Sequence, residues 1–136
     1  MKKLSNVVLI DDNDALNYLH FRFMQKANVA EEIIILNSAL AALDYLANEG
    51  QTKLPDLILL DVNMPAMDGW EFVERYNHHL MQQAHPLPPI IMLSASFNPA
   101  DRHKIAHYTN VIGFRSKPLN NTAIDEIILE LLDTQV

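Results

Sequence analysis

Three carboxylates stand where short apolar runs end: Asp11 and Asp12 close Val7-Val8-Leu9-Ile10, and Asp61 closes Leu57-Ile58-Leu59-Leu60. If these runs are parallel strands, their carboxyl ends open on one crevice, where crowded carboxylates repel one another unless a cation neutralises them. Oxygen ligands from Asp12 and Asp61 suit Mg²⁺, which keeps several waters while contacting phosphate oxygens, and Asp11 is placed to hold one of those waters. One Asp of such a group can act as a nucleophile toward a phosphoryl group, giving an acyl phosphate. The charge on the transferred oxygens then needs a positioned cation and hydrogen-bond donors. Lys117, three residues beyond Phe114 in the fifth apolar run, supplies the cation. Ser94, at the end of Ile90 to Leu93, supplies a hydroxyl that adds no net charge.

Five elements of one kind and five of another are needed to bring these residues together. The apolar runs are Val7 to Ile10, Ile33 to Leu36, Leu57 to Leu60, Ile90 to Leu93 and Val111 to Phe114. Being continuous rather than alternating, they suit strands covered on both faces. Between them lie segments of helical period: Leu16, Leu19, Phe23 and Ala27; Ala39, Ala42, Leu43 and Leu46; Phe72, Val73, Tyr76 and Leu80; a short segment after Asn98-Pro99; and Ile124, Ile127, Ile128 and Leu131. Ser38, Asp68 with Glu71, and Asn98-Pro99 are helix-start signals, and Gly50 is a stop signal. Gln82 to Pro89, with three prolines, is the clearest loop. Regular β-α alternation predicts a three-layer α/β sandwich, a doubly wound parallel sheet with helices on both faces.

Composition narrows the class. A chain of 136 residues fits a single domain, 1–136, with no output domain expected. A net charge of −7, with ten Lys and Arg and no basic cluster, argues against nucleic-acid and anionic-membrane surfaces. The absence of cysteine excludes a disulfide framework and a Cys-based zinc site. Lys2-Lys3 is followed by an apolar run cut after four residues by Asp11-Asp12, too short for an export segment. No stretch approaches the roughly 20 apolar residues of a membrane span. The expectation is a soluble, cytoplasmic protein.

In order and spacing the landmarks resemble the receiver domains of two-component response regulators. The resemblance runs from Val7-Val8-Leu9-Ile10-Asp11-Asp12 through Asp56-Leu57-Ile58-Leu59-Leu60-Asp61-Val62-Asn63-Met64-Pro65-Ala66-Met67-Asp68-Gly69 to Ser94-Ala95 and Lys117-Pro118-Leu119. It implies a (βα)5 flavodoxin-like fold with strand order 2-1-3-4-5. It implies Asp61 as phosphoacceptor, a Mg²⁺ site of Asp11, Asp12, Asp61 and the Asn63 carbonyl, and phosphoryl binding by Ser94 and Lys117. Phe114 matches the switch aromatic whose rotamer follows the Ser94 hydroxyl, and a cis peptide before Pro118 is implied as well. The implied partners are a histidine kinase or histidine phosphotransfer protein, met by the first helix and nearby loops. A protein effector would be met by the fourth helix, fifth strand and fifth helix, with the chain a monomer or a phosphorylation-dependent dimer. Asn63 and Ser96 should flank the path of a hydrolytic water, and a small Ser96 predicts a phosphoaspartate of intermediate lifetime.

Other readings compete. Acidic strand ends can serve only as helix caps, but capping does not require Asp61, Ser94 and Lys117 at three further strand ends. An aspartyl-nucleophile phosphatase of haloacid-dehalogenase type would want Asp at position 63, which is Asn, and a cap insertion. A flavin carrier would want a hydroxyl-rich loop where Asp11-Asp12-Asn13-Asp14 stands. A degenerate receiver would have lost part of the acidic set. His103 and His107, four apart on a short helix, lack a third ligand and read as surface residues. Trp70 reads either as partly exposed to a partner or as core.

Overall fold

The computed structural model describes residues 3–47 and 54–134. Strands and helices alternate: β1 (Leu4–Ile10), α1 (Asp14–Ala27), β2 (Ala30–Leu36), α2 (Ala39–Leu46), β3 (Leu57–Asp61), α3 (Gly69–Gln82), β4 (Ile90–Ser94), α4 (Pro99–Ile105), β5 (Val111–Ser116) and α5 (Asn121–Thr134). The five strands form one parallel sheet in the order β2-β1-β3-β4-β5. This is the flavodoxin-like topology, with its order reversing beside β1.

Strand side chains alternate between faces, and two cores result. Val8, Ile10, Ile58 and Leu60 pack with Ala39, Ala42, Phe72, Val73 and Tyr76 of α2 and α3. Val7, Leu9, Leu57 and Leu59 pack on the opposite side with Met24 of α1 and Ile124, Ile127, Ile128 and Leu131 of α5. The two edge strands are covered less completely, and Ile35 of β2 and Ile112 of β5 are exposed. Continuous apolarity therefore overstates their burial.

Helix starts follow the cap residues. Asn13, Ser38 and Asp68 accept hydrogen bonds from the backbone N–H of Leu16, Ala41 and Glu71. Asn98 and Asp101 close a reciprocal capping box with Pro99 at the helix start. The Glu71 carboxylate turns instead to Arg75, 2.9 Å away. Helix α2 ends at Leu46 with Ala47 as its cap, and the stop expected at Gly50 lies outside the described residues. Gln82 belongs to α3, so the loop begins one residue later than expected. Asn77 and Asn110 exchange side-chain hydrogen bonds at 2.9 and 3.1 Å, and Asn110 also donates to the Pro88 carbonyl, which ties the loop before β4 to α3.

The stripe expected on α1 is rotated. Leu19 is exposed and Leu16, Phe23 and Ala27 are half-buried, while Asn17, His20 and Met24 form the buried face. Trp70, which could have served as a partly exposed surface, is buried in the core.

Candidate functional site

Register places the site. Ile10 of β1 pairs with Leu60 of β3, so the next residues, Asp11 and Asp61, leave adjacent strands side by side. Ser94 pairs with Ser116, and the Lys117 N–H donates to the Ser94 carbonyl at 3.0 Å. The peptide bond between Lys117 and Pro118 is cis.

The side chains converge. The Lys117 ammonium lies 3.1 Å from Asp11 Oδ2 and 3.1 Å from Asp61 Oδ1, so one cation bridges two buried carboxylates. Asp11 Oδ1 accepts from the Asn13 N–H at 2.9 Å, and Asp61 Oδ1 accepts from the Asn63 N–H at 3.3 Å. Asp61 Oδ2 is buried and has no hydrogen-bond partner among the described residues. Asp12 is exposed at the mouth, with a carboxylate oxygen within 4.8 Å of ligand atoms from Asp11 and Asp61. Burial, then repulsion from Asp11, raises the Asp61 carboxyl to about 6, with Lys117 opposing. Lys117 is itself pushed up by its two carboxylates against the opposing effect of burial.

An acidic trio with an orphaned, buried carboxylate oxygen fits a hard divalent cation, which would neutralise the excess negative charge and take oxygen ligands. Asp11, Asp12 and Asp61 are the side chains that would hold it.

Two further residues lie nearby in different states of readiness. Ser94 is fully buried, and its Oγ donates to the Ser96 carbonyl at 2.9 Å while accepting from the Ser96 N–H at 3.0 Å. Its hydroxyl is therefore engaged within its own loop. Phe114 is half-buried, packed on Phe97 with ring centroids 4.1 Å apart and edge-on to Trp70 at 6.4 Å.

Three contacts escaped sequence reasoning. Trp70 Nε1 donates to Asp101 Oδ1 at 3.0 Å, joining α3 to α4 beside Phe114. Asn17 Nδ2 donates to the Asp11 carbonyl at 2.7 Å, and His20 Nε2 accepts from the Leu119 N–H at 2.9 Å. A buried-face period containing Asn and His was the available signal. His103 and His107 belong to no metal-ligating group among the described residues.

The sequence profile of the family described as the response regulator receiver domain matches residues 7–129. The chain belongs to that family. Among curated relatives, response regulator Rcp1 of Synechocystis sp. is 31% identical over 100 residues, covering 70% of this chain and 65% of Rcp1. The chain thus spans just under two-thirds of that relative's length. Among solved structures, a two-component response regulator from Cytophaga hutchinsonii is 30% identical with a TM-score of 0.83, covering 97% of this receiver chain and 99% of its own. Chemotaxis protein CheY4 of Vibrio cholerae is 25% identical with a TM-score of 0.75, covering 94% and 98%. Family membership displaces the haloacid-dehalogenase and flavin-carrier readings. This receiver has the fold of signalling proteins, and receivers accept phosphoryl groups and meet histidine kinases and phosphotransfer proteins. Among the described residues no helix is long and apolar enough to cross a membrane.

Proposed function

We propose that this receiver takes a phosphoryl group from the phosphohistidine of a partner histidine kinase or phosphotransfer protein onto Asp61, and signals through phosphorylation-dependent protein contacts. The observation that carries the reading is the state of Asp61: Lys117 and the Asn63 N–H hold Oδ1, and Oδ2 is buried with no hydrogen-bond partner among the described residues. One oxygen is anchored and the other is left without a hydrogen-bond partner among the described residues.

In the transfer, Asp61 attacks phosphorus, a P–O bond forms, and the P–N bond to the donor imidazole breaks. The imidazole nitrogen keeps the bonding pair and takes a proton. Lys117 compensates charge on the phosphoryl oxygens, and its attachment to Asp11 keeps it in place. Mg²⁺ held by Asp11, Asp12, Asp61 and the Asn63 carbonyl would supply the remaining charge compensation when bound. For Ser94 to donate to a phosphoryl oxygen, its hydroxyl must leave the Ser96 carbonyl. That exchange, together with a turn of Phe114 off Phe97, is the proposed switch, read by a protein effector at α4, β5 and α5.

The test is incubation with Mg²⁺ and acetyl phosphate, followed by intact mass, for wild type and Asp61→Asn. A gain of one phosphoryl group in the wild type alone is expected. A wild type that gains nothing, and does not bind beryllofluoride, is a degenerate receiver acting as a phosphate-independent module.

A further inference from the structure

The helix that opens the site also grips its far end. Asn17 and His20 lie three apart on one face of α1, and both are buried, at 2% and 1% exposure. Asn17 holds the backbone of Asp11, and His20 holds the backbone of Leu119, two residues past Lys117. The two loops held this way carry the side chains that pair across the crevice, Asp11 and Lys117.

We propose that His20 is a positioning residue for phosphoryl transfer, fixing the segment after β5 so that Lys117 spans Asp11 and Asp61. Asn17 is its companion on the β1 side. The inference rests on the reading of Asp61 as phosphoacceptor.

The chemistry of the contact explains the residue type. Leu119 is buried, and a buried N–H without an acceptor is costly, so the segment would move to find one. A neutral imidazole offers a lone pair at the end of a stiff ring, three bonds beyond Cβ. Burial is the main effect on His20 and holds its ring below the ordinary value, with Asp11 opposing and Lys117 assisting, so Nε2 keeps its lone pair. The helix turn around His20 is in turn seated by Met24 in the core between the sheet and α5. Placement of Lys117 is thereby referred to the sheet through α1, a route independent of β5.

Gln reaches as far as the imidazole and presents an acceptor oxygen, whereas Asn is one methylene shorter and cannot reach Leu119. His20→Asn and His20→Gln therefore separate the acceptor from the bulk of the residue. With acetyl phosphate at saturating Mg²⁺, His20→Asn should phosphorylate about ten- to a hundredfold more slowly than wild type, the scale expected of a misplaced charge-compensating group. His20→Gln should stay close to the wild-type rate. Affinity for Mg²⁺, read by calorimetry, should not weaken in either variant, because the acidic trio does not depend on Leu119. Hydrogen exchange at the Leu119 amide should accelerate in His20→Asn and remain slow in His20→Gln.

Equal rates for wild type and His20→Asn would overturn the proposal, as would a His20→Gln as slow as His20→Asn, or a parallel loss of Mg²⁺ affinity. If His20→Asn does not fold, His20→Gln decides: wild-type rate with a protected Leu119 amide supports the proposal, and a slow rate with a protected amide overturns it. A wild type that takes up no phosphoryl group overturns the acceptor role of Asp61 itself, a result distinct from any of these.

Discussion

Gly69 meets Asp61 at the backbone: a Cβ built on Gly69 would stand 2.5 Å from the Asp61 carbonyl oxygen, 3.1 Å from Val62 Cα and 3.0 Å from Met92 Cε. The Gly69 N–H also donates to the Val62 carbonyl at 2.8 Å. The first residue of α3 is thus seated against the Asp61 peptide, and only hydrogen fits.

Gly69→Ala should therefore destabilise the protein by about 1–3 kcal/mol, the usual cost of overpacking, despite the better helix propensity of alanine. Urea unfolding measures this. Phosphorylation of the folded fraction should slow as well, since the clash bears on the backbone that carries Asp61.

Asp61 should cost stability at neutral pH when divalent cations are chelated. Its folded-state carboxyl is raised from 3.8 to about 6, so between these values the folded protein binds the extra proton. Stability then falls as pH rises through this window, and above it the charged form carries the full penalty. Asp61→Asn should raise stability at pH 7.5 by about 1–3 kcal/mol, the opposing pull of Lys117 being already contained in the raised carboxyl. The difference should vanish near pH 4. Paired thermal melts in chelator give the comparison.

His20 works in the opposite direction. Its ring is held below the ordinary 6.5, so the unfolded chain takes up the proton first as pH falls. The stability contributed by the neutral ring is whole above 6.5 and is lost as pH drops toward the lower, folded-state value. The same melts on His20→Gln should show a flatter dependence below pH 6.5 than wild type.

Trp70→Phe keeps most of the packing against Tyr108 and Phe114 but removes the hydrogen bond to Asp101. The loss of a buried donor to a carboxylate predicts about 1–3 kcal/mol of destabilisation. Because Asp101 also closes the capping box of α4, amide exchange in Pro99–Ile105 should accelerate before that in α3.

Much of the site could be read from the chain because its parts sit at strand ends. Apolar runs broken by Asp11-Asp12, Asp61 and Ser94, with Lys117 three residues past the fifth run, are local signals, and parallel pairing brings them together without further information. The face of α1 could not be read in the same way. Leu16, Leu19 and Phe23 carry the apolarity, yet Asn17 and His20 take the buried positions, where Asn17 Nδ2 and His20 Nε2 meet backbone groups that periodicity cannot see. For His20 that partner is 99 residues away. The burial of Trp70 follows the same logic, with its indole satisfied by Asp101 of another helix. The edge strands β2 and β5 erred the other way, since a continuous run is compatible with one covered face when no further strand lies beyond.

The hydrogen bond from the Lys117 N–H to the Ser94 carbonyl ties the placement of the cation to the register of β5 on β4. Ser94 is paired with Ser116 and Lys117 follows directly, so a slip or a single-residue insertion in β5 would move the cation relative to the Ser94 hydroxyl. The spacing between cation and hydroxyl is thus set by the β4–β5 register, whereas the side chain of Ser96, outside that pairing, can change while the register stays intact.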